Sequence, residues 1–219
     1  MARKSVSERA YAQLRDDVFA GALVPGARLK LDLLKTEYGV SITTLREVLG
    51  RLAMEGFVEA KGNRGFAVAP VSRTELREVG ELRVLLENHA LSLSFSAGDV
   101  DWEARVLAAH HRLKHSEAAV IAGDESQRLR WKRDDIAFHQ ALISACGSAT
   151  LMHTHSQVFN RYLRYQMLAL TSRGQGTADD HAQLMQQALD RDIDSAQQTL
   201  SQHVAVGVEH AIEEGALAD

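Results

Sequence analysis

Asp135 and His139 stand four residues apart in a helical pattern, so both side chains leave one face, and Ile136, Leu142 and Ile143 nearby turn that face toward a core. A carboxylate and an imidazole turned inward need a partner. His181 and His203 lie on the last two helical segments, each eleven residues from Asp192 in the connecting Asp190-Arg191-Asp192 stretch. Positions equidistant from the turn of an antiparallel helix pair share one height, so these two imidazoles are expected to face one another. If the Asp135–His139 helix packs on that pair, four groups converge as a His3Asp set. Such mixed nitrogen and oxygen ligands suit a borderline divalent ion, zinc first and nickel or manganese as alternatives, with positions open to water or a ligand. Any one histidine is more often a satisfied core or surface residue, and with ten in the chain some spacings match by chance. His89, His110, His111, His115, His153, His155 and His210 take that plain reading.

A second chemistry is written into residues 31–58. Leu31, Leu34 and Tyr38 recur at helical spacing, Gly39 permits a sharp turn, and Ser41 is placed to cap a following helix whose apolar stripe is Leu45, Val48, Leu49 and Leu52. Thr43, Thr44 and Arg46 lie at the opening of that helix and mostly off the stripe. There a helix N-terminus attracts phosphate and a guanidinium can reach a guanine edge. The alternative is that these are ordinary solvated helix-start residues. Residues 57–61 and 66–69 alternate as short strands around Gly62-Asn63-Arg64-Gly65, a hairpin whose tip carries Lys61 and Arg64. Ser41, Thr43, Thr44, Arg46, Lys61 and Arg64 are therefore the candidate contacts to double-stranded operator DNA.

The elements that must position these groups form two parts. Val6, Ala10, Leu14 and Val18 mark a first helix that stops at Gly21, and Val24-Pro25-Gly26 makes a tight turn. The N-terminal part, residues 1–70, is thus a winged helix-turn-helix with a small β-hairpin wing. Beyond Pro70-Val71-Ser72-Arg73, the expected hinge, Ser72 caps a helix to about Ser96 with Leu76, Val79, Leu86, Ala90 and Leu93 in register. Further amphipathic segments follow near 100–122, 125–146, 148–172, 178–190 and 194–213, with residues 173–177 as a flexible-looking loop. Residues 71–219 therefore read as an all-α antiparallel bundle, and the chain as mainly α. Charge divides the same way: residues 1–70 carry +3 and residues 71–219 carry −7. The first part suits nucleic acid and the second does not. A single cysteine, Cys146, rules out an internal disulfide framework, and the lack of a signal-like or spanning apolar run leads us to expect a soluble, cytoplasmic protein with no membrane partner.

Residues 5–70 resemble the winged-helix domain of the GntR family of bacterial transcription regulators. The resemblance lies in the helix ending at Gly21, Leu23-Val24-Pro25-Gly26, Leu29, Gly39-Val40-Ser41, Leu45-Arg46-Glu47-Val48-Leu49, Leu52, Glu55-Gly56-Phe57-Val58 and Gly65-Phe66-Ala67-Val68. One departure is that Ile42 follows Ser41 and Thr44 stands where the family usually has the proline of Ser-Arg-x-Pro, which points to a different operator. Residues 73–214 resemble the FCD effector-binding domain of the FadR subfamily, whose members place an Asp-x-x-x-His pair and two later histidines around a metal. Asp135, His139, His181 and His203 match that pattern, and Leu82-Arg83-Val84-Leu85-Leu86-Glu87 matches the subfamily's opening. The run from Phe138 to Ser148 looks closest to regulators of carbon-starvation genes.

Arg83 lies on the apolar side of its helix between Val79 and Leu86, where a small carboxylate effector would satisfy its fork. The alternative is an intrahelical pair with Glu87. Arg164, beside Tyr162 and Tyr165, is a second effector candidate, or else a solvated charge. The whole reads as a homodimeric, ligand-responsive transcription factor, a repressor, in which a divalent metal and an organic acid modulate operator binding. Two rivals stay open: a metal-dependent hydrolase fused to a DNA-binding module, and a regulator that senses the metal itself.

Overall fold

In the computed structural model, which describes residues 5–169, 174–215 and 217, the first helix opens on a reciprocal cap. Ser5 Oγ accepts from Glu8 N at 3.1 Å and the Glu8 carboxylate accepts from Ser5 N at 2.7 Å, starting α1 (Val6–Phe19). After β1 (Arg28–Leu29) come α2 (Leu31–Glu37) and α3 (Ile42–Met54), joined through Gly39 at φ +63°. Ser41 caps α3 by accepting from Thr44 N at 3.1 Å. Leu45, Val48, Leu49 and Leu52 are fully buried with Leu14, Val18 and Phe57. Each such side chain contributes about 1.5–3 kcal/mol by leaving water, so α3 is held from behind while its polar side stays exposed. Phe19 packs on Phe57 at 5.0 Å between centroids, and Tyr38 donates to Asp17 at 2.6 Å, tying the end of α2 to α1.

The wing is a three-stranded antiparallel sheet in the order β1-β3-β2, with β2 (Val58–Ala60) and β3 (Phe66–Val68). Leu29 pairs with Phe66 and Glu59 with Ala67. The sequence reading contains the hairpin but not β1, because two residues are too short to show a period. Gly62–Arg64 at the tip form a 3₁₀ turn closed by Lys61 N to Gly65 O at 2.7 Å.

Six described helices follow: α4 (Arg73–Ala97), α5 (Val100–Ile121), α6 (Arg128–Leu142), α7 (Ala149–Leu168), α8 (Gln175–Asp190) and α9 (Ile193–Glu214). Residues through Glu75, with Leu217, form one compact unit, and the bundle from Leu76 forms the other. Trp102, Leu113, Phe138, Phe159, Leu184 and Leu200 lie in the bundle core. The α8–α9 turn places Arg191 at φ +58°, a conformation costly to a side-chain-bearing residue. Its guanidinium is fastened over Trp102 at 4.4 Å and onto Glu103 at 2.5 Å. Gly207 on α9 is required by close approach, since a Cβ there would lie 2.2 Å from the Tyr162 hydroxyl of α7.

Two expectations shift. On α4, Leu86 is half-buried and Leu93 is 39% exposed, while Arg83, Glu87 and Ser94 face inward. The core on that side is polar, so apolar period alone misplaces the buried face. Secondly, Gln175 to Thr177, read as loop, open α8; Arg173 and residues 170–172 of the expected 148–172 helix lie outside the described residues. Among the described residues, no helix is long and apolar enough to cross a membrane.

Candidate functional site

Three histidines from three helices meet inside the bundle. His139 of α6, His181 of α8 and His203 of α9 are all buried and each offers a ligand atom, these atoms lying within 4.8 Å of one another. The His181 and His203 rings are 4.8 Å apart between centroids, as positions equidistant from the α8–α9 turn must be when the pair is antiparallel. Asp135, one turn before His139, brings Oδ1 to 3.6 Å from His139 Nε2 and 3.4 Å from His181 Nε2.

Each imidazole is held from behind by a carboxylate at the same nitrogen. His139 Nδ1 donates to Glu87 Oε2 at 2.9 Å, His181 Nδ1 to Glu117 Oε1 at 3.2 Å, and His203 Nδ1 to Asp180 Oδ2 at 3.0 Å. A carboxylate at Nδ1 favours the tautomer that carries its proton there and its lone pair at Nε2, the arrangement by which outer carboxylates orient metal-binding histidines. His181 Nε2 and Asp135 Oδ1 are buried and, apart from their long 3.4 Å approach to each other, have no well-aligned hydrogen-bond partner among the described residues. Unsatisfied buried polar atoms are costly, and a cation is what this donor set fits. Burial alone would raise the Asp135 carboxyl, but His181, Lys132 and His139 outweigh it and hold it well below the ordinary carboxylate range. Burial lowers His139, whereas Asp135 and Glu117 overcome burial and raise His181.

Arg83 pairs with Glu87, Nε to Oε1 at 2.7 Å, so the intrahelical alternative is realised in this conformation. Its guanidinium stacks on Phe159 at 4.1 Å and Tyr162 at 4.6 Å, and Nη2 stands 3.1 Å from both His139 Nδ1 and Nε2. Arg83 also lines a small cavity of about 10 Å³ with Lys132, Asp135, Gln166, Thr177 and His203. Arg164 is buried rather than solvated, and it is not among that cavity's lining residues. Sequence reasoning missed the supporting shell. Glu87 accepts from Arg83, His139 and His155, and Glu117 accepts from His181 and from Trp131 Nε1 at 3.2 Å. His155, given the plain reading, is fully buried on Glu87 at 2.8 Å. Glutamates at core-facing positions of α4 and α5 were the available signal, since a buried carboxylate requires donors.

In the first unit, Thr43 and Arg46 are exposed at the start of α3, while Ser41 Oγ and Thr44 Oγ1 lie 3.0 Å apart in the cap. Lys61 and Arg64 are exposed at the wing tip, where Lys61 pairs with Glu59.

Residues 6–68 match the bacterial regulatory proteins of the gntR family, and residues 78–206 match the FCD domain. The chain belongs to the GntR family of regulators and carries an FCD domain. It is 34% identical over 203 residues to the uncharacterised HTH-type transcriptional regulator BphR of Paraburkholderia xenovorans, covering 92% of this chain and 83% of that one. It is 30% identical over 202 residues to the HTH-type transcriptional repressor GlaR of Escherichia coli, covering 89% and 90%. The solved structure of E. coli McbR/YncC superposes with a TM-score of 0.77 at 20% identity, over 96% of this chain and 99% of that one. A metal-free FCD domain, that of TM0439, matches 67% of this chain and 97% of its own length at TM-score 0.52 and 18% identity. These relatives and families are transcriptional regulators, so the hydrolase reading is set aside. The GntR domain is of a kind that binds operator DNA, and the FCD domain is of a kind that binds small effectors and often metal.

Proposed function

We propose that this regulator is a homodimeric repressor in which Asp135, His139, His181 and His203 hold a divalent ion, zinc first, and an organic acid bound beside them alters operator affinity. The observation that carries the reading is the shared orientation of three imidazoles, each with Nδ1 on a carboxylate, around the orphaned oxygen of Asp135. A bound ion would supply open positions for the acid's carboxylate. Arg83 and Lys132 flank the cavity and would neutralise that charge. Arg83 Nη2 stands 3.1 Å from both ring nitrogens of His139, so an ion held at Nε2 would bring two positive charges together and favour displacement of the guanidinium head.

The space beside the histidines, about 10 Å³, suits a single water. An organic acid therefore binds only when Arg83, Lys132 or their helices give way, and this is the differential contact that a ligand-driven switch needs. Pro70–Arg73, which lie in the first unit just ahead of the division at Glu75–Leu76, are our proposed hinge, with residues 1–70 as the DNA-binding domain and 71–219 as the effector domain. Ser41, Thr43, Thr44 and Arg46 would meet the operator at the N-terminus of α3, with Lys61 and Arg64 of the wing on phosphate. A regulator that senses the ion alone is the competing reading. It predicts operator release by free metal without any acid.

The test is elemental analysis of purified wild type and His203→Ala. We expect one ion per wild-type chain and a folded variant depleted of it; a variant that keeps stoichiometric metal would remove His203 from the set. A thermal-shift screen of organic acids on the metal-loaded protein then identifies the effector class, because a ligand that binds only the folded state raises its melting temperature.

A further inference from the structure

Behind Glu117, α5 and α8 border an open cavity of about 350 Å³ whose rim is exposed and whose floor includes that buried carboxylate. That is within the roughly 300–1,000 Å³ of small-molecule sites, whereas the space at the histidines is far below it. His110, Lys114, Glu117, Ile121 and Asp179 line it, with four alanines. Its inner wall includes Glu117, 2% exposed, the same carboxylate that holds His181 Nδ1. Glu117 Oε1 takes both His181 and Trp131, while Oε2 has only a long 3.4 Å approach from His181 and keeps lone-pair capacity for another donor. Among the described residues Asp179 accepts from Gln175 at one oxygen, at 2.9 Å. Lys114, exposed on α5 one turn before Glu117, has no ion-pair or hydrogen-bond partner among the described residues.

The cavity thus presents an ammonium group and two carboxylates a few side chains apart, against walls of alanine and isoleucine. A plain carboxylic acid would face Glu117 and Asp179, and a plain amine would face Lys114. A compact ligand that carries both charges and an aliphatic body meets all of them. We propose that this cavity is a second ligand site, for a free α-amino acid with an aliphatic side chain, and that its occupancy is coupled to the histidine centre through Glu117. The coupling, which rests on the metal reading above, has a physical route. An ammonium group drawn to Glu117 competes with His181 for the same carboxylate, and His110 adds a second route, its ring 5.5 Å from Phe138 and Phe138 5.6 Å from His181. Coupling free energy is reciprocal, so the amino acid changes metal affinity by the factor that metal changes amino-acid affinity.

The experiment titrates full-length, metal-free protein with L-leucine by calorimetry, beside 4-methylpentanoate, which lacks the amine, and 3-methylbutylamine, which lacks the carboxylate. We expect L-leucine to bind and each analogue to bind about tenfold more weakly or worse, the scale of one charge-assisted hydrogen bond. Lys114→Ala, at an exposed position, should weaken L-leucine by a similar factor, and Ala178→Phe, which fills the cavity, should abolish binding. No binding of L-leucine at millimolar concentration, equal binding of all three compounds, or wild-type affinity in Lys114→Ala overturns the site. Coupling is read separately, by zinc competition against a chelator with and without saturating L-leucine. A shift in wild type that is absent in Ala178→Phe supports it, and no shift in wild type overturns it. If the protein proves not to hold zinc at all, the metal reading and the coupling fall together, while the metal-free titration still decides the site.

Discussion

Glu87→Ala tests whether the bundle is held from its polar interior. The carboxylate, fully enclosed, takes Arg83 Nε at 2.7 Å, His139 Nδ1 at 2.9 Å and His155 Nε2 at 2.8 Å. Burial alone would push this carboxyl up, yet Arg83, His139 and His155 hold it well below its usual range, so it is a charge the fold depends on. Removing it leaves Arg83, 1% exposed, as a buried cation without its carboxylate. Breaking a buried pair from one side costs about 3–5 kcal/mol. Stacking on Phe159 and Tyr162 offsets part of this, and the two lost imidazole bonds add to it without being independent of it. We therefore expect a loss of about 4 kcal/mol, a large share of the roughly 5–15 kcal/mol of a typical domain. Both tryptophans, Trp102 and Trp131, lie in the bundle, so tryptophan fluorescence during urea unfolding of the metal-free full-length chain reports that unit alone. The double change Arg83→Met with Glu87→Leu removes both charges and should recover most of the loss, leaving the imidazole bonds unrepaired. A loss below about 1 kcal/mol in Glu87→Ala, or a double variant worse than the sum of the singles, would refute the argument.

Asp180→Asn weakens the acceptor behind His203 and should lower metal affinity by about 10- to 100-fold without emptying the site at saturating metal, as read by chelator competition. Arg46→Ala should cost about 1–3 kcal/mol of specific operator binding at fixed salt and relax the sequence preference, leaving the fold intact; unchanged affinity would make Arg46 an ordinary solvated side chain. Burial and its bond to Glu55 raise the Tyr11 phenol from 10.0 to about 12. A raised acid favours the folded state while it stays protonated, so that contribution is complete below pH 10 and is lost as pH climbs toward 12. Tyr11→Phe should flatten the alkaline side of the DNA-binding unit's melting-temperature profile, and an identical profile would assign the alkaline loss elsewhere.

Much of this protein was determined locally. Ser5, Ser41 and Ser72 start helices because a side-chain oxygen satisfies an amide three residues on, and Leu45, Val48, Leu49 and Leu52 choose the buried face of α3 because apolar period and helical period coincide. Even the approach of His181 to His203 was legible, since an antiparallel pair with a short turn leaves no freedom in height. The polar shell was not. Which carboxylate stands behind which imidazole depends on contacts 23 to 64 residues apart in sequence, as in His203 with Asp180 and His181 with Glu117. No period encodes such a contact. On α4 the same cause reversed a local inference: the apolar pattern favoured Leu93 as core, but the buried Arg83–Glu87 pair with the histidines it serves turned a polar face inward and left Leu93 at 39% exposure. Helix starts, the buried face of α3 and the height of the histidines follow from neighbours along the chain, and are therefore set by the sequence itself. The partners of buried charges, and the two cavities, one beside His203 and one at Glu117, exist only once the helices have packed, because a buried ion's energy depends on every group that surrounds it rather than on its place in a repeat.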